Sequence, residues 1–239
     1  MTVLTWQEPD PIPLRGTLFL FPGRGEEPRV YERLGRRLAA DAYRVHALTA
    51  PSDDAERTRK QLAELLATAD AEKPRIVVGS DAGAAYAAHL AARGELPGIN
   101  ALVLAGLPAG PAAGEAREWA DELDARSFCP THRGRITTAG VRPNELFTAL
   151  PEHWFEPGRI DLPVLGLHGR ADTVSPWERA ATSYAAQPRA ELVTIAGAPH
   201  DVLNDQTHRT VAATIVLFLE PVRSGADLAP IATAERPPA

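Results

Sequence analysis

The sequence predicts an α/β fold, with a mostly parallel central sheet, helices on both faces and a short helical cap. Short apolar runs such as Gly16–Phe21 (GTLFLF) and Arg75–Gly79 (RIVVG) alternate with longer stretches of helical period. Those runs lack the in-out alternation of a half-wet strand, so both faces of the sheet must be covered. A single interval of about fifty residues, 110–161, interrupts the rhythm. The chain of 239 residues, 44% apolar, is long enough to bury such a core.

The elements follow in order. Thr2–Gln7 offers an antiparallel edge strand, and Gly16–Phe21 is a buried strand ended by Pro22-Gly23-Arg24-Gly25. Val30–Asp41 carries Val30, Leu34 and Leu38 at helical spacing. Tyr43–Ala50 is a second buried strand. Ser52–Asp70 is a helix, with Ser52 or Asp53 suited to cap it. Arg75–Gly79 leads into an Ala-rich helix over Ala82–Arg93. Three more strands fall at Asn100–Ala105, Leu162–Leu167 and Glu191–Ile195, and helices at Pro176–Gln187 and Gln206–Leu219 follow the last two. The expected organisation is one domain over residues 1–220, with 110–161 a helical cap insertion, and a flexible C-terminal tail over 221–239.

Composition excludes several classes of function. The net charge of −6, from 31 acidic and 25 basic residues, provides no basic stripe to replace phosphate counterions, so no nucleic-acid partner is expected. No apolar run reaches the ~18 residues of a membrane span. No cationic segment precedes an apolar one at Met1–Asp10, so no signal peptide is expected. One cysteine, Cys129, precludes an internal disulfide, and a cytoplasmic location is expected. Only Lys60 and Lys73 are lysines. Arginine is therefore the default cation of this chain; the Arg24 side chain is read as facing solvent, with contact to an anionic substrate group as the alternative. Cys129-Pro130-Thr131-His132 has C-x-x-H spacing without a second pair, so no metal is expected. Phosphate loops and dinucleotide fingerprints are absent, so no organic cofactor is expected; the partner is a small-molecule substrate.

The chemistry concentrates in Gly79-Ser80-Asp81-Ala82-Gly83, at a strand-to-helix junction. Small residues two positions either side of a central residue define a tight elbow that projects that residue above the sheet. Glycines at 79 and 83 make Asp81 central; centring Ser80 instead places Val78 where the turn is crowded. A simpler reading is that Ser80 or Asp81 caps the next helix. Asp172 and His200 follow, in the loops after the penultimate and last strands, and give the chain order nucleophile, acid, histidine. Such loops emerge together at the carboxyl ends of parallel strands.

With these motifs the chain resembles the α/β-hydrolases over about residues 10–220. Phe21-Pro22-Gly23-Arg24-Gly25-Glu26, followed by Tyr31, Leu34 and Leu38, is similar to a segment of the monoacylglycerol lipase and serine-hydrolase branch, with Pro22-Gly23 where that branch has His-Gly. The resemblance implies an oxyanion hole from the backbone N–H groups of Arg24 and Ala82. Asp81 stands in place of the nucleophilic serine, as in the epoxide hydrolases and haloalkane dehalogenases. Their usual tryptophan after the aspartate is Ala82 here, and the cap interval has no tyrosine.

The expected activity is hydrolysis of a small, largely apolar organic substrate at an epoxide or carbon–leaving-group bond. Asp81 forms a covalent ester, His200 (neutral near pH 7) is the base, and Asp172 orients it. Trp119, Trp154 and Phe155 are candidates to line the substrate pocket. The alternatives are Asp81 as a general base on water or an acidic C–H, an esterase or lipase using Ser80, and a non-catalytic binding protein on the same scaffold.

Overall fold

The computed structural model describes residues 3–70, 73–111, 118–138, 141–156, 158–225 and 231–233. Its strands are β1 (Leu4–Trp6), β2 (Gly16–Phe21), β3 (Tyr43–Ala47), β4 (Arg75–Ser80), β5 (Ala101–Ala105), β6 (Val164–Gly169) and β7 (Ala190–Ile195). They form one sheet in the order β1-β3-β2-β4-β5-β6-β7. Only β1 runs antiparallel, pairing Leu4 with Ala47 and Trp6 with Val45.

Side-chain alternation along the central strands feeds two apolar layers. Leu18, Leu20, Ile76, Val78 and Val103 point to one face, where α1 (Glu32–Ala40) and α7 (His208–Arg223) pack through Leu34, Leu38, Val211 and Ile215. Phe19, Phe21, Val77, Leu102 and Leu104 point to the other, covered by α2 (Pro51–Thr68), α3 (Ala82–Ala92) and α6 (Trp177–Ala185). Period-two strands between two helical layers bury nearly every side chain of β2, β4, β5 and β6. Close packing also explains Gly35 in α1, where an added Cβ would lie 2.2 Å from the Trp6 ring.

Several boundaries differ from the sequence reading, for local reasons. β3 stops at Ala47, because Pro51 lacks an N–H and holds Ala50 extended at the start of α2. Neither Ser52 nor Asp53 caps α2. Asp54 breaks its helical geometry, and the Asp54 Oδ1 atom accepts from Arg57 N at 2.9 Å, starting the longer part of the helix. Pro28–Tyr31 forms a 3-10 turn ahead of α1. α7 continues past Glu220 to Arg223; of the tail expected there, residues 226–230 and 234–239 lie outside the described residues.

Between β5 and β6 the chain forms α4 (Trp119–Arg126), α5 (Pro130–Thr138) and 3-10 turns at Glu145–Phe147 and Glu152–Phe155. These elements cap the carboxyl ends of the strands; residues 112–117, 139–140 and 157 of this interval lie outside the described residues. Among the described residues no helix is long and apolar enough to cross a membrane.

Candidate active site

The β4-to-α3 junction needs glycine on both sides of its apex. A Cβ on Gly79 would lie 2.5 Å from the Gly83 carbonyl oxygen, and one on Gly83 would lie 2.0 Å from that of Phe21. Between them Asp81 takes φ 47° and ψ −115°, a left-handed conformation that costs a non-glycine residue about 1–3 kcal/mol. Ser80 is the last residue of β4, below that apex. The Ala82 amide opens α3, among the N–H groups that a helix start leaves without an intrahelical partner.

Loops from β6 and β7 converge on the same point. The Nε2 atom of His200 lies 3.2 Å from Asp81 Oδ1, in ion-pair contact without hydrogen-bond alignment. Its Nδ1 atom donates to Asp172 Oδ2 at 2.8 Å. The other Asp172 oxygen accepts from Val174 N and Ser175 N, so the carboxylate shapes its own turn while it faces the imidazole. His168, near the end of β6, donates through Nε2 to the Ser175 carbonyl oxygen and lies 3.1 Å from Asp172 Oδ2. Gly106, at φ 54°, lets the end of β5 approach the ring: a Cβ there would stand 3.3 Å from His200 Cε1.

Arg24 is where the structure departs most from the sequence reading. Its side chain does not face solvent; the residue is 3% exposed. The Nη2 atom donates to Asp81 Oδ1 at 2.7 Å, and Nε donates to Oδ2 at 2.8 Å. The Arg24 backbone amide also donates to Oδ2, at 3.0 Å, and Nη1 reaches the Thr148 carbonyl oxygen in the cap. Each Asp81 oxygen therefore faces two nitrogen atoms, close to the full acceptor capacity of a carboxylate.

Beneath this fork lies a second buried charge cluster that the sequence reading did not identify as a unit. Arg126, at the end of α4, donates to Glu26 Oε1 at 3.0 Å, to Glu122 Oε1 at 3.0 Å and to the Arg24 carbonyl oxygen at 2.8 Å. Glu26 Oε2 accepts from Gly23 N at 3.1 Å and from the Tyr31 hydroxyl. The last carbonyls of α4 extend the connection, since Ala125 O accepts from His200 N and Arg126 O accepts from Asp201 N.

Electrostatics follow from this packing. Burial favours the neutral Asp81 acid, but the Arg24 guanidinium and then His200 hold its carboxyl well below the usual range. Burial likewise works against a charged His200, yet the Asp172 carboxylate and then Asp81 push its ring up to about 10. The two carboxylates thus favour the protonated ring, against the sequence expectation of a neutral His200 near pH 7. Glu26 is pushed up to about 8 by burial, reinforced by Asp201 and opposed by Arg126.

The three aromatic candidates fall in two different apolar clusters. Trp119 packs against the α1/α7 layer, whereas Trp154 and Phe155 belong to the α3 side. The Trp154 ring lies 4.8 Å from that of Tyr86, centroid to centroid. With Ala85 and Leu107, Trp154 and Phe155 line a cleft of about 340 Å³ whose wall includes neither Asp81 nor His200. Cys129 and His132 do not converge either; the thiol accepts from Arg33, and the ring sits 3.4 Å from Asp201. Among the described residues no cluster of three or more His, Cys, Asp or Glu side chains is arranged for a metal ion.

Comparison with known proteins places this arrangement in context. A family model described as "Alpha/beta hydrolase family" matches residues 18–214. No curated protein matches the chain in sequence. Among solved structures, a soluble variant of monoglyceride lipase from Saccharomyces cerevisiae superposes with TM-score 0.71 at 14% identity, covering 92% of this chain and 91% of that one. Monoacylglycerol lipase from Paleococcus ferrophilus gives 0.71 at 17% identity, with coverages of 93% and 98%. A Rhodococcus esterase gives 0.69 at 18%, with coverages of 92% and 95%. At these identities the likeness concerns the fold.

Proposed function

The chain belongs to the alpha/beta hydrolase family, and from that premise we propose that it is a hydrolase with Asp81 as nucleophile, His200 as acid and base, and Asp172 as the group that orients the imidazole. The observation that carries the reading is the apex itself. Asp81 holds a left-handed backbone at the start of α3 with His200 Nε2 3.2 Å from Oδ1 and Asp172 on the far side of the ring. A structural cap needs neither the strain nor the imidazole.

A carboxylate in this position suits displacement at an sp³ carbon. Oδ1 attacks the carbon, the bond to the leaving group breaks with its electron pair, and an alkyl ester of Asp81 forms. The imidazolium proton is available to an alkoxide leaving group, or passes to water when the leaving group is a halide. Either way the ring becomes neutral, because esterification removes one of the two carboxylate charges that held its proton. Neutral His200 then takes a proton from water as the water attacks the ester carbon Cγ. Collapse of the tetrahedral intermediate breaks the Asp81 Cγ–Oδ1 bond, the His200 imidazolium gives its proton to the departing oxygen to release the alcohol, and the regenerated Asp81 acid returns a proton to His200. Oxyanion charge in that step develops on Oδ2, the atom that faces the Arg24 amide, and a well-placed donor there contributes about 3–4 kcal/mol. The positive end of α3 also favours the ionised carboxylate.

One observation favours a second reading, a non-catalytic binding protein: the Arg24 fork occupies both Asp81 oxygens. A single-turnover reaction in H2(18)O with enzyme in excess, across epoxides, alkyl halides and activated esters, separates the readings. The proposed hydrolase incorporates (18)O into the Asp81 peptide, and Asp81→Asn abolishes turnover. Labelling of Ser80 by a fluorophosphonate overturns it in favour of an esterase, and absence of turnover across the panel overturns it in favour of binding alone.

A further inference from the structure

We propose that the Arg24 side chain is the receptor for a carboxylate on the substrate, so that the substrate class is a small organic acid bearing its leaving group near the carboxylate. This inference rests on the nucleophile reading above.

Asp81 Oδ1 faces Arg24 Nη2 at 2.7 Å and His200 Nε2 at 3.2 Å; Oδ2 faces Arg24 Nε at 2.8 Å and the Arg24 amide at 3.0 Å. Oδ1 cannot attack carbon while Nη2 holds it. Turnover therefore requires the guanidinium to surrender at least that one contact. The cation has no route to water at its own position, since its side chain is 4% exposed and the Asp81 side chain 2%. Its remaining acceptor is a peptide carbonyl, Thr148 O, which carries no charge to balance it.

Alkylation sharpens the problem. Once Asp81 becomes a neutral ester, a neutral substrate leaves Arg24 as a buried cation without a counterion. A substrate that brings its own carboxylate supplies one in the same step: Nη2 passes from Oδ1 to the incoming oxygen, while Nε and the amide keep Oδ2. With Nε on Oδ2 and Nη1 on Thr148 O, the guanidinium holds the incoming carboxylate through Nη2 as a charge-assisted hydrogen bond. The neighbouring charges leave this role to Arg24. Arg126 is fully committed to Glu26, Glu122 and the Arg24 carbonyl, and His200 is turned to Asp172. The position also fits the reaction, because a group on Nη2 lies beside the Oδ1 that attacks.

The test is isothermal titration with sodium propanoate, using propanamide as the uncharged analogue, at constant ionic strength and pH 7. Wild-type protein is expected to bind propanoate saturably and to leave propanamide unbound. Arg24→Gln should weaken propanoate at least tenfold, and Arg24→Lys should restore only part of the affinity because it lacks the fork. Asp81→Asn removes the competing internal carboxylate and should bind propanoate at least tenfold more tightly than wild type, with a propanoate-dependent rise in Tm. Should Asp81→Asn fail to fold, wild type against Arg24→Gln decides. Equal binding of amide and acid, or propanoate binding unchanged in Arg24→Gln, overturns the inference. The two claims fail separately. An (18)O-labelled Asp81 without propanoate binding removes the substrate class and keeps the nucleophile; propanoate binding to Arg24 without labelling does the reverse.

Discussion

Arg126 Nη2 lies 2.8 Å from the carbonyl oxygen of Arg24, joining residues 102 positions apart. Through that bond the end of α4 fixes the loop that carries the Asp81 clamp, and the same guanidinium donates to Glu26 and Glu122. A cap residue thus sets the geometry of a strand-end loop on the opposite side of the site.

Removing that guanidinium leaves two acidic side chains, each about 2% exposed or less, without their cation. Arg126→Met is expected to destabilise the fold by about 3–5 kcal/mol, the usual consequence of breaking a buried ion pair from one side. Glu26→Gln combined with Arg126→Met should recover part of the loss. Urea denaturation of the single and double variants measures both; additive losses in the double variant would show that the two side chains act independently.

Stability should fall on the alkaline side, and two groups slope it the same way. His200 is raised to about 10 from about 6.5 in the unfolded chain, so its contribution is full below about pH 6.5 and is lost as pH rises through 10. Glu26, raised to about 8, favours folding in its protonated form, and that contribution disappears between about pH 4.5 and 8. Asp81 and Asp172 are lowered, so theirs is present above about pH 4 and lost in acid. The urea midpoint should therefore peak near about pH 5 and decline toward pH 10. His200→Gln should flatten the upper part of that decline and Glu26→Gln the lower part; a level wild-type profile from pH 6 to 10 contradicts the assignment.

Asp172→Asn keeps an acceptor for Val174 N and Ser175 N but removes the charge beside His200 Nδ1. On the proposed mechanism, ester formation at Asp81 persists while its hydrolysis slows by about 10²–10⁴-fold. Intact-mass kinetics should then show an accumulating adduct. The His200 ring should also titrate at lower pH by NMR, which a purely structural role for Asp172 in its turn does not require.

The sequence discloses backbone-level features better than long-range ionic ones. Gly79 and Gly83 reveal the elbow because backbone contacts of 2.0–2.5 Å tolerate no Cβ, a constraint that acts within five residues. The chain order of Asp81, Asp172 and His200 is legible because parallel strands deliver their following loops to one edge. Arg24 was misplaced because its partner lies 57 residues away and arginine abounds at the surface. Glu122 and Arg126 look like an ordinary i,i+4 pair on an exposed helix, and nothing local reveals that both are fully buried. Trp119 and Trp154 were grouped by proximity in sequence, which carries no information about which side of a sheet each will cover.

The two hydrogen bonds from His200 N and Asp201 N to the last carbonyls of α4 have a practical corollary for protein engineering. The end of α4 and the loop bearing the imidazole are one mechanical piece. A chimera that imports a foreign α4 must transplant residues around 200 along with it, or the imidazole will lose its footing even though Asp81, Asp172 and His200 are all retained.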